Sequence, residues 1–163
     1  MAINTALIGR SYGPFSYQVG LEKIREYAVA VAGGIPSTGF LSSGPPEGLH
    51  PWLYDLEAGA KSPYGSIVAL PSFAVVFAIA PFGTACGDPE LNVDLLRLVH
   101  GEQELEWFAP IKPGDTMTTT GTLTEIYSKA GKDFFVVISE TQNQHGERVV
   151  KGTWTAVVRS SDA

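Results

Sequence analysis

Apolar positions along this chain change period more than once, and each period predicts an element. Between residues 21 and 31, Leu21, Ile24, Ala28 and Val31 recur at helical spacing and Tyr27 widens the stripe, while Glu22, Lys23, Arg25 and Glu26 fill the other side. That is an amphipathic helix with one core-facing side. Gly33-Gly34 followed by Pro36 stops it. Before it, Phe15 to Val19 alternates as a short strand. From Ile67 to Phe82 the chain is almost wholly apolar, which predicts a buried helix near Pro71–Phe82. Pro71 suits its start, because the first turn of a helix has no use for an N–H. Alternation then predicts strands at Val99–Phe108, Met117–Tyr127, Phe134–Gln142 and Val149–Arg159. Lys129-Ala130-Gly131-Lys132 and Asn143-Gln144-His145-Gly146-Glu147 read as hairpin turns with Gly at the positive-φ position, and Pro110 with Pro113-Gly114-Asp115 marks a longer one. The pattern is α+β, a hydrophobic helix followed by an antiparallel meander able to wrap it.

Residues 33–66 break the periodicity. Gly33, Gly34, Pro36, Gly39, Gly44, Pro45, Pro46, Gly48 and Pro51 cannot lie inside regular elements. The aromatic and apolar residues among them (Phe40, Leu41, Leu49, Trp52, Leu53, Tyr54) favour an ordered covering loop, with a helical turn or two in Asp55–Lys61. The 163 residues suit a single domain, 1–163.

Charge narrows the partners. The formal net charge is −6, which argues against nucleic acid and anionic membranes, since both select a basic face. Only 17% of residues are charged, so part of the surface is expected to lie under another subunit. The apolar run 67–82 is too short, and too interrupted by Pro71 and Pro81, for a membrane span of about 20 residues. Nothing near Met1–Arg10 resembles a signal peptide, so the expected compartment is the cytoplasm. The single Cys86 excludes an internal disulfide and a Cys-rich metal site, and no His pair at metal-binding spacing appears. No phosphate loop or dinucleotide fingerprint is present.

Two segments carry a family resemblance. Leu98-Val99-His100-Gly101-Glu102-Gln103-Glu104-Leu105-Glu106-Trp107 and Pro110-Ile111-Lys112-Pro113-Gly114-Asp115-Thr116 resemble the MaoC-like acyl-thioester dehydratases. Ile67-Val68-Ala69-Leu70-Pro71-Ser72-Phe73, Ile126-Tyr127, Lys129–Lys132 and Val157-Val158-Arg159 extend the likeness. It is greatest to the N-terminal-type half found in mycobacterial hydroxyacyl dehydratase subunits. It covers about 15–159, apart from an insertion at about 33–46. The resemblance implies a hot-dog fold, with a long central helix wrapped by a curved antiparallel sheet. It implies an acyl-CoA or acyl-carrier-protein thioester as substrate, with no other cofactor. The implied activity is that of an (R)-specific enoyl-CoA hydratase or 3-hydroxyacyl dehydratase.

Hydration of an enoyl thioester needs a base to activate water, a proton for the α-carbon, and donors for the thioester oxygen. Active members of this family resemble one another at Gly-Asp-x-Asn-Pro-x-His-x-Asp, whose Asp and His hold the water. Here the matching stretch is Glu47-Gly48-Leu49-His50-Pro51-Trp52-Leu53-Tyr54-Asp55. Pro51 and Asp55 keep register, but Gly48 stands at the Asp position and Leu53 at the His position. Neither can carry a proton. Active members also use a glycine N–H at the start of the central helix, where this chain has Pro71, which has none.

The expected role is therefore a subunit that shapes the acyl pocket, working as a homodimer or as a heterodimer with a catalytic hot-dog chain. Alternatives are a self-sufficient hydratase or hot-dog thioesterase with a relocated base, and a non-catalytic acyl-thioester-binding protein. His50, His100 and Glu102 are the candidate substitute catalytic groups, each with a bland reading as loop packing or cross-strand bonding. Phe40, Trp52, Phe73 and Phe77 are candidates for the acyl wall, and equally for the core. Cys86 reads as packing and Asp115 as a turn-holder.

Overall fold

Antiparallel strands joined by short Gly-containing turns fold back on one another, and the apolar run fills the resulting concavity. The computed structural model describes residues 3–32 and 48–159. Its strands are β1 (Ser11–Gln18), β2 (Leu98–Trp107), β3 (Thr116–Lys129), β4 (Lys132–Gln142) and β5 (Arg148–Val158). Its helices are α1 (Leu21–Val31), α2 (Leu56–Ala60), α3 (Val75–Ala78) and α4 (Ala80–Cys86), with 3₁₀ turns at Thr5–Leu7, Pro51–Leu53 and Pro71–Ala74. All strand pairs are antiparallel, in the order β1-β3-β4-β5-β2. The expected hot-dog arrangement is present, and the four C-terminal strands begin and end within two residues of their expected limits.

The central helical element differs in detail from one long helix. The 3₁₀ turn at Pro71–Ala74, α3 and α4 follow each other along one path. Pro81 explains the division, since proline brings no N–H to the carbonyl a turn earlier. The element nonetheless presents one continuous buried side, made by Phe73, Ala74, Phe77, Ala78, Phe82 and Ala85. Opposite it the sheet offers Met117, Leu123, Phe135, Val137 and Trp154, all fully buried. Phe82 is the contact point: its ring lies 5.9 Å from Phe135 and 6.2 Å from Trp154. Each such side chain contributes about 1.5–3 kcal/mol on full burial. The helix comes so close to β3 that a Cβ on Gly121 would overlap the Pro81 ring.

An ionic cluster ties the N-terminal segment to the loop after α4. Arg10 Nη1 donates to Asp88 Oδ2 at 2.8 Å, and Tyr12 Oη donates to the same oxygen at 2.9 Å. The Arg10 guanidinium, with the Glu90 N–H and the Tyr12 hydroxyl, holds the Asp88 carboxyl below its usual range. Burial, then the bond to Asp88, pushes Tyr12 up to about 12. A depressed carboxyl stabilises the fold above its unfolded pKa, and that contribution is lost as pH falls through the folded value. Asp88→Asn is therefore expected to lower Tm by about 2–6 °C at neutral pH. The gap should close as pH falls below the ordinary carboxylate range, where the wild-type carboxyl is also losing its charge. Thermal unfolding of both proteins across pH reads this directly, and parallel curves would refute it.

Candidate functional site

Two stretches distant in sequence meet beside the start of the central helix. Ala69 N–H donates to Ile111 O at 2.9 Å, so the segment leaving β2 runs alongside the segment entering the 3₁₀ turn at Pro71. Between them lies a cavity of about 420 Å³. Trp52, Leu53, Tyr64, Val68, Ala69 and Pro71 form one wall, and Trp107 to Ile111 form the other. That volume falls within the range of small-molecule sites, which are mostly apolar with few polar groups. Of the three positions singled out for lost chemistry, Leu53 and Pro71 line this cavity and Gly48 is not among its lining residues. None of the described residues lining it is a carboxylate or an imidazole.

Several polar groups around the cavity are committed to structure. Trp107 Nε1 donates to the Pro71 carbonyl at 3.0 Å, which clips the end of β2 to the start of the central element. Lys112 Nζ donates to the Tyr64 carbonyl at 2.8 Å, and the Arg148 guanidinium lies 3.8 Å from the centre of the Phe108 ring. Both cations therefore sit against cavity-lining residues, with the Arg148 contact a cation–π pair. Asp115 Oδ2 accepts the Lys112 N–H at 2.8 Å and its Oδ1 accepts from Gln144 Nε2 at 3.2 Å, so this carboxylate holds the turn between β2 and β3.

His50 is exposed next to the cavity. Its ring lies 4.3 Å from the Trp52 ring, and Nδ1 accepts the Trp52 N–H at 3.3 Å, capping the Pro51–Leu53 turn. With Nδ1 accepting, the neutral ring carries its proton on Nε2 and has no free lone pair for a substrate water. Asp55, the other residue in register with the motif, caps α2 by accepting the Ala58 N–H at 2.7 Å. Gly48 has φ +82, a left-handed conformation that glycine adopts without strain.

His100 and Glu102 do not come together. The β2–β5 register shifts at Gly101, so His100 stands opposite Ala156 on the helix side, whereas Glu102 stands opposite Thr155 on the outer face. Gly101 permits this close approach, because a Cβ there would lie 2.5 Å from Val157 Cγ2. The His100 ring rests 5.2 Å from Phe82 and 6.1 Å from Trp154. Seven residues of strand separate it from Trp107, which is roughly 23 Å at strand rise. Within one protomer His100 caps the aromatic core, far from the cavity.

Of the expected acyl-wall residues, Trp52 lines the cavity. Phe73 and Phe77 are buried, packed against Tyr17 at ring distances of 6.4 and 5.8 Å, and neither is among the cavity-lining residues. Phe40 lies outside the described residues. Burial pushes the Cys86 thiol up to about 11, which leaves it protonated at neutral pH. Sequence reasoning did not single out Tyr64, Val68, Trp107, Phe108 or Ile111 as cavity residues. The available signal was Trp107-Phe108-Ala109-Pro110, an aromatic pair at the point where a strand breaks.

Comparison with known proteins bears on the family and the fold. A family model for the FAS1-like dehydratase domain region matches residues 6–152. A Streptomyces avermitilis relative, described as a UPF0336 protein, is 35% identical over 163 residues and covers 99% of each chain. A MaoC-like dehydratase structure superposes with TM-score 0.75 at 29% identity, covering 96% of this chain and 43% of that one. The C-terminally truncated HadBC (3R-hydroxyacyl-ACP dehydratase) complex from Mycobacterium tuberculosis gives TM-score 0.71 at 23% identity, with 93% and 96% covered. The chain belongs to the FAS1-like dehydratase-region family, and its fold is the hot-dog fold of the MaoC-like dehydratases and hydratases.

Proposed function

We propose that this chain is the pocket-forming half of an acyl-thioester hydratase or dehydratase whose proton transfers are made by another hot-dog chain. The observation that carries the reading is the mostly apolar cavity at Leu53 and Pro71. By the motif register it lies where the family's chemistry would stand, and its described lining offers no carboxylate or imidazole. An apolar slot is still suited to an acyl tail, which is read by buried area at about 0.8 kcal/mol per methylene. On this reading Lys112 and Arg148, the cations nearest the cavity, would meet the phosphates of a coenzyme A or carrier-protein arm; their contacts with Tyr64 and Phe108 support it, although Arg148 also pairs with Glu140 at 3.3 Å. The HadBC assembly is a complex of related fold, which supports a two-chain enzyme here.

Titration of butyryl-CoA through palmitoyl-CoA tests the pocket, with Trp52 and Trp107 as fluorescent reporters. Affinity is expected to rise with acyl length by up to about fourfold per methylene until the cavity is filled. Trp52→Ala should move the preferred length and leave the fold intact. Phe77→Ala should instead destabilise the protein by about 3–5 kcal/mol, as a buried aromatic does. Affinity independent of acyl length would overturn the pocket assignment.

A further inference from the structure

The cavity is short of free hydrogen-bond donors, and the shortage singles out one side chain. Most backbone N–H groups in its walls are spent: Leu53 donates to His50 O at 3.0 Å, Val68 to Trp52 O at 3.4 Å, and Phe108 to Val149 O at 2.9 Å. Pro71 and Pro110 have no N–H to give. Three lining side chains carry a donor, those of Trp52, Tyr64 and Trp107. Trp107 gives its own to the Pro71 carbonyl. Tyr64 is 44% exposed, and among the described residues its hydroxyl has no hydrogen-bond partner.

The turn that presents Tyr64 is tied by a buried serine. Ser62 Oγ accepts the Tyr64 N–H at 3.2 Å and donates its own proton to Ser66 O at 3.1 Å. The Gly65 N–H returns to Ser62 O at 3.0 Å, with Gly65 at φ +65, a left-handed conformation that glycine adopts without strain. The Tyr64 carbonyl accepts from Lys112 Nζ at 2.8 Å. Its ring stands edge-on to Trp52, with 6.2 Å between centres and 83° between planes. Backbone and ring are thus held on several sides, and the hydroxyl is the part left free. A donor held in this way has little freedom left to lose when a ligand takes it.

We propose that the Tyr64 hydroxyl is the specificity donor of this cavity, given to the carbonyl oxygen of a bound acyl thioester whose tail runs inward along the buried Val68, Ala69 and Ile111. The assignment rests on the pocket reading above, and adds the group that recognises the polar end of the ligand. Apolar contact alone grades ligands by size. A donor grades them by whether they bring an acceptor, because a ligand that excludes water without one leaves the donor unpaired. The bond positions the thioester and supplies no base for water, in keeping with a chain that binds substrate and leaves the proton transfers to another.

Two ligands that differ only in the acceptor supply the probe. Octanoyl-CoA and its thioether analogue octyl-CoA, in which a methylene replaces the carbonyl, share the same arm and tail. Each is titrated into the full chain by calorimetry. Wild type is expected to bind the thioester roughly two- to tenfold tighter than the thioether, the range of one neutral hydrogen bond. Tyr64→Phe, which keeps the ring against Trp52, should bind the two alike, with its thioether affinity at the wild-type value. A Tyr64→Phe protein that retains the wild-type ratio would overturn the proposal, whether or not both affinities fall, because the preference would then come from another donor such as Trp52 Nε1. A wild type that binds both ligands equally would also overturn it, and would leave the pocket reading standing. A wild type that binds neither ligand would sink the pocket reading and this assignment together.

Discussion

Purified alone and offered crotonyl-CoA, the chain is expected to show hydration at or near the uncatalysed rate. A positioned general acid or base contributes about 10²–10⁴-fold. An oxyanion donor contributes a further 10²–10³-fold or so. On the motif register implied by the family resemblance, Gly48, Leu53 and Pro71 stand at the positions of all three groups, and on that reading the deficits multiply. The substitute that lies nearest the cavity, His50, has its Nδ1 engaged with the Trp52 N–H at 3.3 Å. His50→Ala should accordingly change the residual rate little. A stopped assay following loss of the enoyl absorbance reads both. Robust hydration by the wild type that His50→Ala abolishes would establish a relocated base and end the two-chain reading. Co-expression with a dyad-bearing hot-dog chain should restore turnover, with this chain's substitutions shifting acyl preference more than the rate on the four-carbon substrate.

Trp154→Ala is expected to give the largest loss of stability of any single truncation considered: about 3–5 kcal/mol from the lost ring, before the cost of the hydroxyl it strands. The indole is fully buried in the middle of the helix-facing sheet surface, stacked 6.2 Å from Phe82. Its Nε1 donates to Ser139 Oγ at 2.8 Å, also in the interior. Truncation therefore leaves a cavity and an unsatisfied hydroxyl together, and the second adds about 1–3 kcal/mol if no water enters. Trp154→Phe keeps most of the area and loses the donor, so an intermediate loss is expected. Urea unfolding followed by circular dichroism separates the cases. A Trp154→Ala protein within about 1 kcal/mol of wild type would contradict the packing described, since core truncations of this size do not leave stability untouched.

The parts of the fold that were legible in the sequence are those set by local periodicity. Strands β2 to β5 announce themselves by alternation and by the glycines of their turns, and the apolar run can only be the element they wrap. What escaped was set by proline and by distance. The start of β1 is hidden by Gly13-Pro14, which reads as a break. A proline is tolerated there because β1 lies at the sheet edge, and the register does shift between Tyr12 and Phe15. Pro81 divides the central element in a way that hydrophobicity alone does not reveal. At the site, motif register led to Leu53 and Pro71, and the cavity contains both. The second wall, Trp107 to Ile111, depends on the pairing of Ala69 with Ile111, a long-range contact with no local signature. Plain alternation would put His100 and Glu102 on one face, and the irregularity at Gly101 separates them.

The indole bond from Trp107 to the Pro71 carbonyl joins the outermost strand to the first turn of the central element. One residue is therefore both a wall of the cavity and the end of that strand. On the proposed reading, a chain that fixed the position of β2 would also fix the width of the slot, and an acyl tail seated in the slot would hold the edge in return. Thermodynamic linkage makes these effects equal: whatever factor the second chain adds to acyl affinity, the acyl group must add to the affinity between the chains. Assembly would then follow the supply of long-chain thioester, with Trp107→Phe, which keeps the ring and deletes the N–H, as the substitution that uncouples the two.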